Sequence, residues 1–393
     1  MTISRAGLLA FMAAAAVTAT ASPASAQGCI LLRQTCPAFG TTSFTDLQPG
    51  TWNITFTGRS STADKHYNGT ERQIQREIEQ TYVVNRQNSI TATVSYQLSP
   101  RVSLNAAVPW IEASWGIPSP RSGGPAARAN ENAQGLGDII ALTRVSIFNP
   151  MTTRRTWNLQ IGGGLKLPTG DNDATDVFPD GNGNNNSERF VDISVHPGDG
   201  GWGVVFDLQG YKMLGRFTAF GSGTWLANPR NTGTPSRGNL VTNLTPSNVN
   251  TVSDQFVFRA GTTVSLYQKV TVESLRQLSA SIAWRMEGVP RYDAFGRADG
   301  FRRPGVTMYW EPGVTLTLGR HAMSFNFPVG YYFNRFRNPY TGTRGDSTFP
   351  EFVSIATYSL RLDRTPKHQI MTDAAHEAPE SAPKPNGEKQ KEG

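Results

Sequence analysis

Beyond its first two dozen residues the chain has no long apolar run, and its mean hydropathy is −0.38. A membrane-spanning helix needs roughly 20 consecutive apolar residues, so helical spanning is excluded for the body of the chain. Cysteine is scarce: Cys29 and Cys36 are the only two, which excludes a disulfide-dense scaffold. Charge is also scarce, at 17% of 393 residues, against about 25% in soluble domains. Neither Gly-x-Ser-x-Gly nor His-Glu-x-x-His occurs, so the nucleophile elbow and the zincin site are both missing. Glycine (39 residues) and aromatics (10%) are what the chain has instead. That composition suits strands with one face in lipid and the other in water, where average hydropathy stays low.

The N-terminus sets the compartment. Met1 to Arg5 is short and ends in a positive charge, Ala6 to Ala21 is small and apolar, and Ala24-Ser25-Ala26 is a small-x-small cleavage site. This order predicts a secretory signal peptide over 1–26. A lipid attachment at Cys29 is the minor reading, because Ala26 and Gln27 fit such a site poorly. After export, Cys29 and Cys36 are expected to form a disulfide; a metal site is the alternative, but no His lies near them. The net charge of +7 would suggest nucleic acid in a cytosolic protein. Export removes that partner and leaves lumen walls and anionic lipid headgroups.

From Thr51 onward a two-residue rhythm recurs. Ile90, Ala92, Val94, Tyr96 and Leu98 alternate with Thr91, Thr93, Ser95 and Gln97. Successive strand side chains point to opposite faces, so such a segment has one apolar and one polar side. Connections supply a second rhythm. Tight turns at Ser99-Pro100-Arg101, Asn149-Pro150, Leu214-Gly215-Arg216, Gln268-Lys269 and Gly319-Arg320 alternate with long polar stretches, as in outer-membrane barrels. Together they predict an all-β, transmembrane, antiparallel up-and-down barrel of about twelve strands. The strands are placed near 51–58, 88–98, 101–113, 138–148, 156–167, 202–213, 216–227, 254–267, 274–287, 306–318, 321–334 and 351–362. Long connections are expected outside the cell and short ones in the periplasm. Trp110, Trp202, Trp225, Trp284 and Trp310 fall toward the long-loop ends, as an outer aromatic girdle requires. The barrel is assigned to 48–363. A periplasmic strap or small plug is assigned to 27–47, and a disordered charged tail to 364–393. Ile74 and Ile78 fit either a helical turn or a strand extension.

Several phrases carry a resemblance: Leu98-Ser99-Pro100-Arg101 running to Val108-Pro109-Trp110, Gly135-Leu136-Gly137-Asp138, Gly164-Leu165-Lys166-Leu167-Pro168-Thr169-Gly170, and His196-Pro197-Gly198-Asp199-Gly200. In this order they resemble the outer-membrane transporter family associated with meta-pathway phenol degradation. The resemblance covers about Ile90 to Ala227 and implies a barrel with a transport role. Each phrase also has a structural reading. Gly162-Gly163-Gly164 permits a bend or close approach, and Asp138 can accept backbone N–H bonds at a loop-to-strand boundary.

Ionised groups at bilayer depth must face the interior, because exposing Arg or Lys to lipid costs about 2–4 kcal/mol. Arg144, Lys166, Asp207, Arg259, Arg285, Glu287 and Glu311 are therefore the lumen candidates, either as a bracing network or as a polar constriction. Asp171, Asp173 and Asp180 have calcium-like spacing, but Val191 stands where an EF-hand closes with glutamate. No cofactor is called for. The expected partners are outer-membrane lipids and small solutes, with oligomeric state open. The function expected is passive uptake of small solutes, hydrophobic or aromatic ones included. The alternatives are a rim hydrolase around His196, with Asp192 and Asp199 nearby, and a structural or adhesion barrel with a closed lumen. The cysteine expectation is open to direct test. Thiol titration of the unreduced, denatured, exported protein should find no free thiol; two free thiols or an acylated Cys29 would contradict it.

Overall fold

The computed structural model describes residues 48–118, 128–150, 152, 155–179, 186–229, 250–271, 275–296, 300–339 and 347–362. The expected signal peptide, the Cys29–Cys36 pair, the 27–47 segment, Asp180 and the 364–393 tail lie outside these residues. The described chain builds a closed antiparallel barrel of twelve strands. In chain order they are β1 (Trp52–Ala63), β2 (Val84–Gln97), β3 (Val102–Pro118), β4 (Arg128–Leu136 and Ile139–Ser146), β5 (Trp157–Leu167) and β6 (Gly203–Leu214). There follow β7 (Phe217–Ala227), β8 (Gln255–Val270), β9 (Leu275–Val289), β10 (Gly305–Leu318), β11 (His321–Asn326 and Val329–Arg335) and β12 (Phe352–Leu362).

Neighbours in sequence pair around the ring, and β1 pairs β12 from Trp52↔Leu362 to Thr62↔Phe352. Closure leaves no sheet edge in hydrocarbon, where an unpaired backbone group costs several kcal/mol. Two strands break at residues that cannot continue a ladder. β4 breaks at Gly137-Asp138, where Gly137 N donates to Pro109 O at 2.8 Å. β11 breaks before Pro328, which has no N–H to give. At the short-turn end, Gly215 and Gly319 take positive φ (64° and 60°) as the first residues of two-residue hairpin turns.

The strands match the expected positions closely at the short-turn end, except that Gln268 and Lys269, expected as a turn, pair with Gln277 and Arg276 inside the β8–β9 ladder, and they run further at the other end. β1 continues to Ala63, β3 to Pro118, and β4 begins at Arg128. Past the bilayer a strand no longer needs an apolar face, so its alternation fades while its pairing persists. The long connections carry structure of their own. Lys65–Asn68 pairs with Glu71–Arg72 and with Ser347–Phe349, and Thr175–Pro179 pairs with Asn186–Phe190. A short helix, α1 (Ile74–Ile78), settles the Ile74 and Ile78 question as helical, with both side chains exposed.

Burial is inverted relative to a soluble protein. Ile90, Ile161, Phe206 and Leu208 are exposed, whereas Lys166 and Glu287 are 0% exposed and Arg59 4%. The exposed apolar face meets lipid and the buried polar face meets the lumen. Charge is sorted along the axis as well. At the short-turn end the described charged side chains are Arg101, Arg155, Lys212, Arg216, Lys269, Arg276, Arg320 and Arg361, all basic. Orientation is checked by labelling intact cells with a membrane-impermeant thiol reagent, the native cysteines being replaced by serine. Ile78→Cys should react and Lys269→Cys should not; the opposite pattern would invert the barrel.

Candidate functional site

The lumen candidates come from strands whose polar faces turn inward, and the structure gathers most of them into two groups. Arg144 Nε donates to Asp207 Oδ1 at 2.7 Å, and Asp207 also accepts from Gln209 at 3.2 Å and Thr224 at 3.0 Å. Arg285 bridges Glu287 at 2.7 Å and Glu311 at 3.5 Å, and Glu311 also pairs with Arg259. Arg259 lies over the Phe220 ring at 5.2 Å. A further member carried no sequence signal: Arg59, which pairs with Glu287 at 2.6 Å. β1 and β9 are separated around the ring by β10, β11 and β12, so this pair is a chord across the lumen. Arg59 lies just past the stretch 51–58 expected for the first strand, and no alternation marked it. Three guanidiniums and two carboxylates leave this second group with one net positive charge.

Lys166 sits apart from both groups, in a clasp made by the motif phrases. Its ammonium pairs with Asp199 and lies 3.6 Å from Asp138. Asp138 accepts backbone N–H bonds from Gly170 at 3.0 Å and Asp199 at 3.3 Å. Thr169 spans the β4 break, donating to Gly137 O and accepting from Ile139 N, both at 2.9 Å. Gly170 and Gly198 touch backbone to backbone: a Cβ on Gly198 would lie 2.4 Å from Gly170 O. Phrases that are far apart in sequence therefore meet in one clasp.

From that clasp the chain turns inward. Val191 and Val195 are fully buried against Ile111 and Ala113 on the lumen face of β3, and Pro197 packs near Gly135 and Gly137. Below them the wall stays apolar through Ala107, Ile140, Leu142, Val205 and Leu226. Glycine makes this strip continuous. Leu142 and Val205 both pair with Gly164, where a Cβ would lie 2.1 Å from Ala141 O. The inserted segment is anchored by charge. Arg303 holds both Asp192 oxygens at 2.7 Å, Asp192 N donates to Glu131 at 2.9 Å, and Glu131 pairs with Arg189 at 2.7 Å. Burial pushes the Asp192 carboxyl up, but Arg303 outweighs it and holds the group at about 2. Burial raises Glu131 to about 7, with Arg189 opposing and Asp192 adding to the rise.

The other candidates take structural places. His196 is 1% exposed inside the inserted segment rather than on the rim. Its expected carboxylates are taken, Asp192 by Arg303 and Asp199 by Lys166. Asp171 accepts from Asp173 N at 3.1 Å, and among the described residues no group of three His, Cys, Asp or Glu side chains forms a metal-binding cluster. Trp110, Trp202 and Trp310 are exposed; Trp202 immediately precedes β6, whereas the outward extension of β3 leaves Trp110 at that strand's middle and Trp310 lies inside β10 rather than at its end. Trp225 and Trp284 are half-buried. Trp225 stacks on Phe256 and donates to Asp254 at 3.0 Å, and Trp284 donates to Tyr331 at 2.9 Å.

A closed barrel with an apolar outer belt and a charged interior is the form in which strands span the bacterial outer membrane, and that is where this protein resides. No family model matches the chain, and no curated protein does. Solved structures with a similar course include an outer-membrane channel from Pseudomonas putida F1 at 12% identity, covering 84% of this chain and 100% of that one, with a TM-score of 0.49. A FadL homologue from Pseudomonas aeruginosa has 10% identity, covers 88% of this chain and 99% of that one, and has a TM-score of 0.38. The toluene transporter TodX of Pseudomonas putida has 11% identity, covers 86% of this chain and 98% of that one, and has a TM-score of 0.34. At these scores the likeness says nothing about what enters the lumen.

The anchor's titration has a definite sign. Asp192 lies below its ordinary ~3.9, so its contribution is full above about pH 4 and is lost as pH falls through about 2. Glu131 lies above its ordinary ~4.3, so its contribution is full below about pH 4 and is lost as pH rises through about 7. Hydrogen-exchange protection of the Val191 and Val195 amides, corrected for intrinsic rate, should fall between about pH 4 and pH 7, the window from the ordinary glutamate value to the raised Glu131 value. Glu131→Gln should flatten that dependence. A profile identical in both proteins would contradict it.

Proposed function

We propose that the protein is an outer-membrane channel for passive entry of small solutes, hydrophobic and aromatic ones included, and that the inserted segment gates it. The observation that carries this reading is the apolar strip from Ile111 to Leu226. Its upper part is covered by the inserted piece of loop, and it leads down toward the charged group of Arg59, Arg259, Arg285, Glu287 and Glu311. A wall meant only to be solid has no use for an apolar lane whose cover is held by an ion pair at the mouth. Displacing Val191 to Pro197 would bare the lane to a solute while the clasp at Asp138, Lys166 and Asp199 keeps the segment attached. At the constriction, Arg59, Arg259 and Arg285 outnumber Glu287 and Glu311. A charge in a narrow passage acts strongly on passing ions, so the residual current should favour anions. The motif phrases that resemble the phenol-pathway transporter family agree with this role.

Single-channel recording in planar bilayers tests it. Arg303→Ala removes a charge-assisted hydrogen-bond pair, so open probability should rise by on the order of tenfold or more, the equivalent of ~1.5 kcal/mol. Arg259→Glu should shift selectivity toward cations. A silent Arg303→Ala, or an Arg259→Glu protein with unchanged selectivity and lowered thermal stability, would instead favour a braced, closed wall.

A further inference from the structure

The lipid-facing side of β6, β7 and β8 carries a groove of about 800 Å³. Its floor is almost bare. Gly210 and Gly221 face each other across the β6–β7 pair, with Ala219 and Ala260 beside them. Leu208 and Phe258 form its sides. Lipid-facing positions elsewhere on these strands carry large side chains, such as Leu214 and Phe217. At Gly221 the floor is open, since an added Cβ would meet only Arg259 O, at 3.8 Å; at Gly210 the Leu159 side chain borders it, 3.0 Å from an added Cβ. From Phe206 to Lys212 the groove runs six residues, or roughly 20 Å at a strand rise of ~3.3 Å, which is the scale of one extended acyl chain.

The lower end of the groove is charged. Lys212 shares the lipid face with Leu208 and Leu214, is exposed, and lies beside Trp157 in the β5–β6 pair. Arg216 follows in the adjacent turn and is also exposed. A lysine two residues from the strand end can reach the headgroup layer while its stem stays in hydrocarbon. Both residues belong to the periplasmic rim, whose charged side chains among the described residues are all basic, so the face they present is complementary to phosphate. We propose that the groove holds one acyl chain of a periplasmic-leaflet phospholipid, whose anionic headgroup rests on Lys212 and Arg216. A lipopolysaccharide chain enters from the opposite leaflet and brings no phosphate to Lys212. A second copy across a two-fold axis would set one basic rim against another.

The site lies outside the lumen, so its test is independent of the channel reading. Native mass spectrometry of the full chain in detergent, titrated separately with phosphatidylglycerol and phosphatidylethanolamine, reads it. One phosphatidylglycerol should bind in preference to phosphatidylethanolamine. Lys212→Gln should weaken that binding by about fivefold, the factor of one basic residue at an anionic surface. Gly221→Leu, which fills the groove, should abolish it. Gly163→Leu should leave it intact, because that position also faces lipid with nothing within 4 Å of an added Cβ but lies outside the groove. Should Gly221→Leu fail to fold, Lys212→Gln decides alone. Equal binding of both lipids, indifference to Lys212→Gln, equal loss in both leucine variants, or a dimer that Gly221→Leu dissociates would each overturn the proposal.

Discussion

In hydrocarbon, a backbone N–H or C=O without a partner costs several kcal/mol, and no water is present to relieve it. The β1–β12 pairing, continuous from Trp52↔Leu362 to Thr62↔Phe352, answers that constraint, and the placement of side chains depends on it. A closed ring divides every strand into a face toward lipid and a face toward the lumen. Apolar side chains then gain nothing by turning inward within the bilayer, and ionised ones have nowhere else to go. The buried Arg285–Glu287–Arg59 and Arg144–Asp207 pairs are the consequence. Their desolvation is compensated by one another, so removing a single partner strands a charge, at a cost of about 3–5 kcal/mol.

The same division explains where the barrel departs from simple alternation. Near the outer mouth, five wall positions turn apolar groups inward together, at Ala107, Ile140, Leu142, Val205 and Leu226. A lumen filled with water would penalise that arrangement. The five pack on one another and are 0–7% exposed, and an inserted stretch of chain, with Val191 and Val195 packed on Ile111 and Ala113, covers the wall just above. The charged anchors at Asp192 and Arg303 then fix the segment. Motif phrases far apart in sequence meet at Asp138, in the break of β4, because its carboxylate accepts the backbone N–H groups of Gly170 and Asp199.

Much of this architecture was legible in the sequence. The alternation from Ile90 to Leu98 marks a strand with a single apolar face, and β2 is that strand. Parity along the strands also separated Arg259, Arg285, Glu287 and Glu311 from their lipid-facing neighbours, although it could not say which of them touch. Arg59 escaped because it lies past the last apolar position of its strand and reaches back across the ring. The inserted segment escaped too, yet it left a trace. Alternation collapses into apolar runs at Ala106 to Ile111, Ile139 to Leu142, Val204 to Phe206 and Trp225 to Ala227. A barrel strand that is apolar on both faces requires something apolar inside. Long-range clasps such as Lys166–Asp199 have no periodic signature and needed the fold to appear.

Channel function requires a water-accessible lumen on one face of a wall whose other face is lipid. Ser281 and Ile282 are successive residues of β9, the first turned toward the lumen and the second exposed to lipid. In vesicles, with Cys29 and Cys36 replaced by serine, a charged thiol reagent should modify Ser281→Cys and leave Ile282→Cys untouched. Modification of Ile282→Cys, or silence at both positions, would contradict the account.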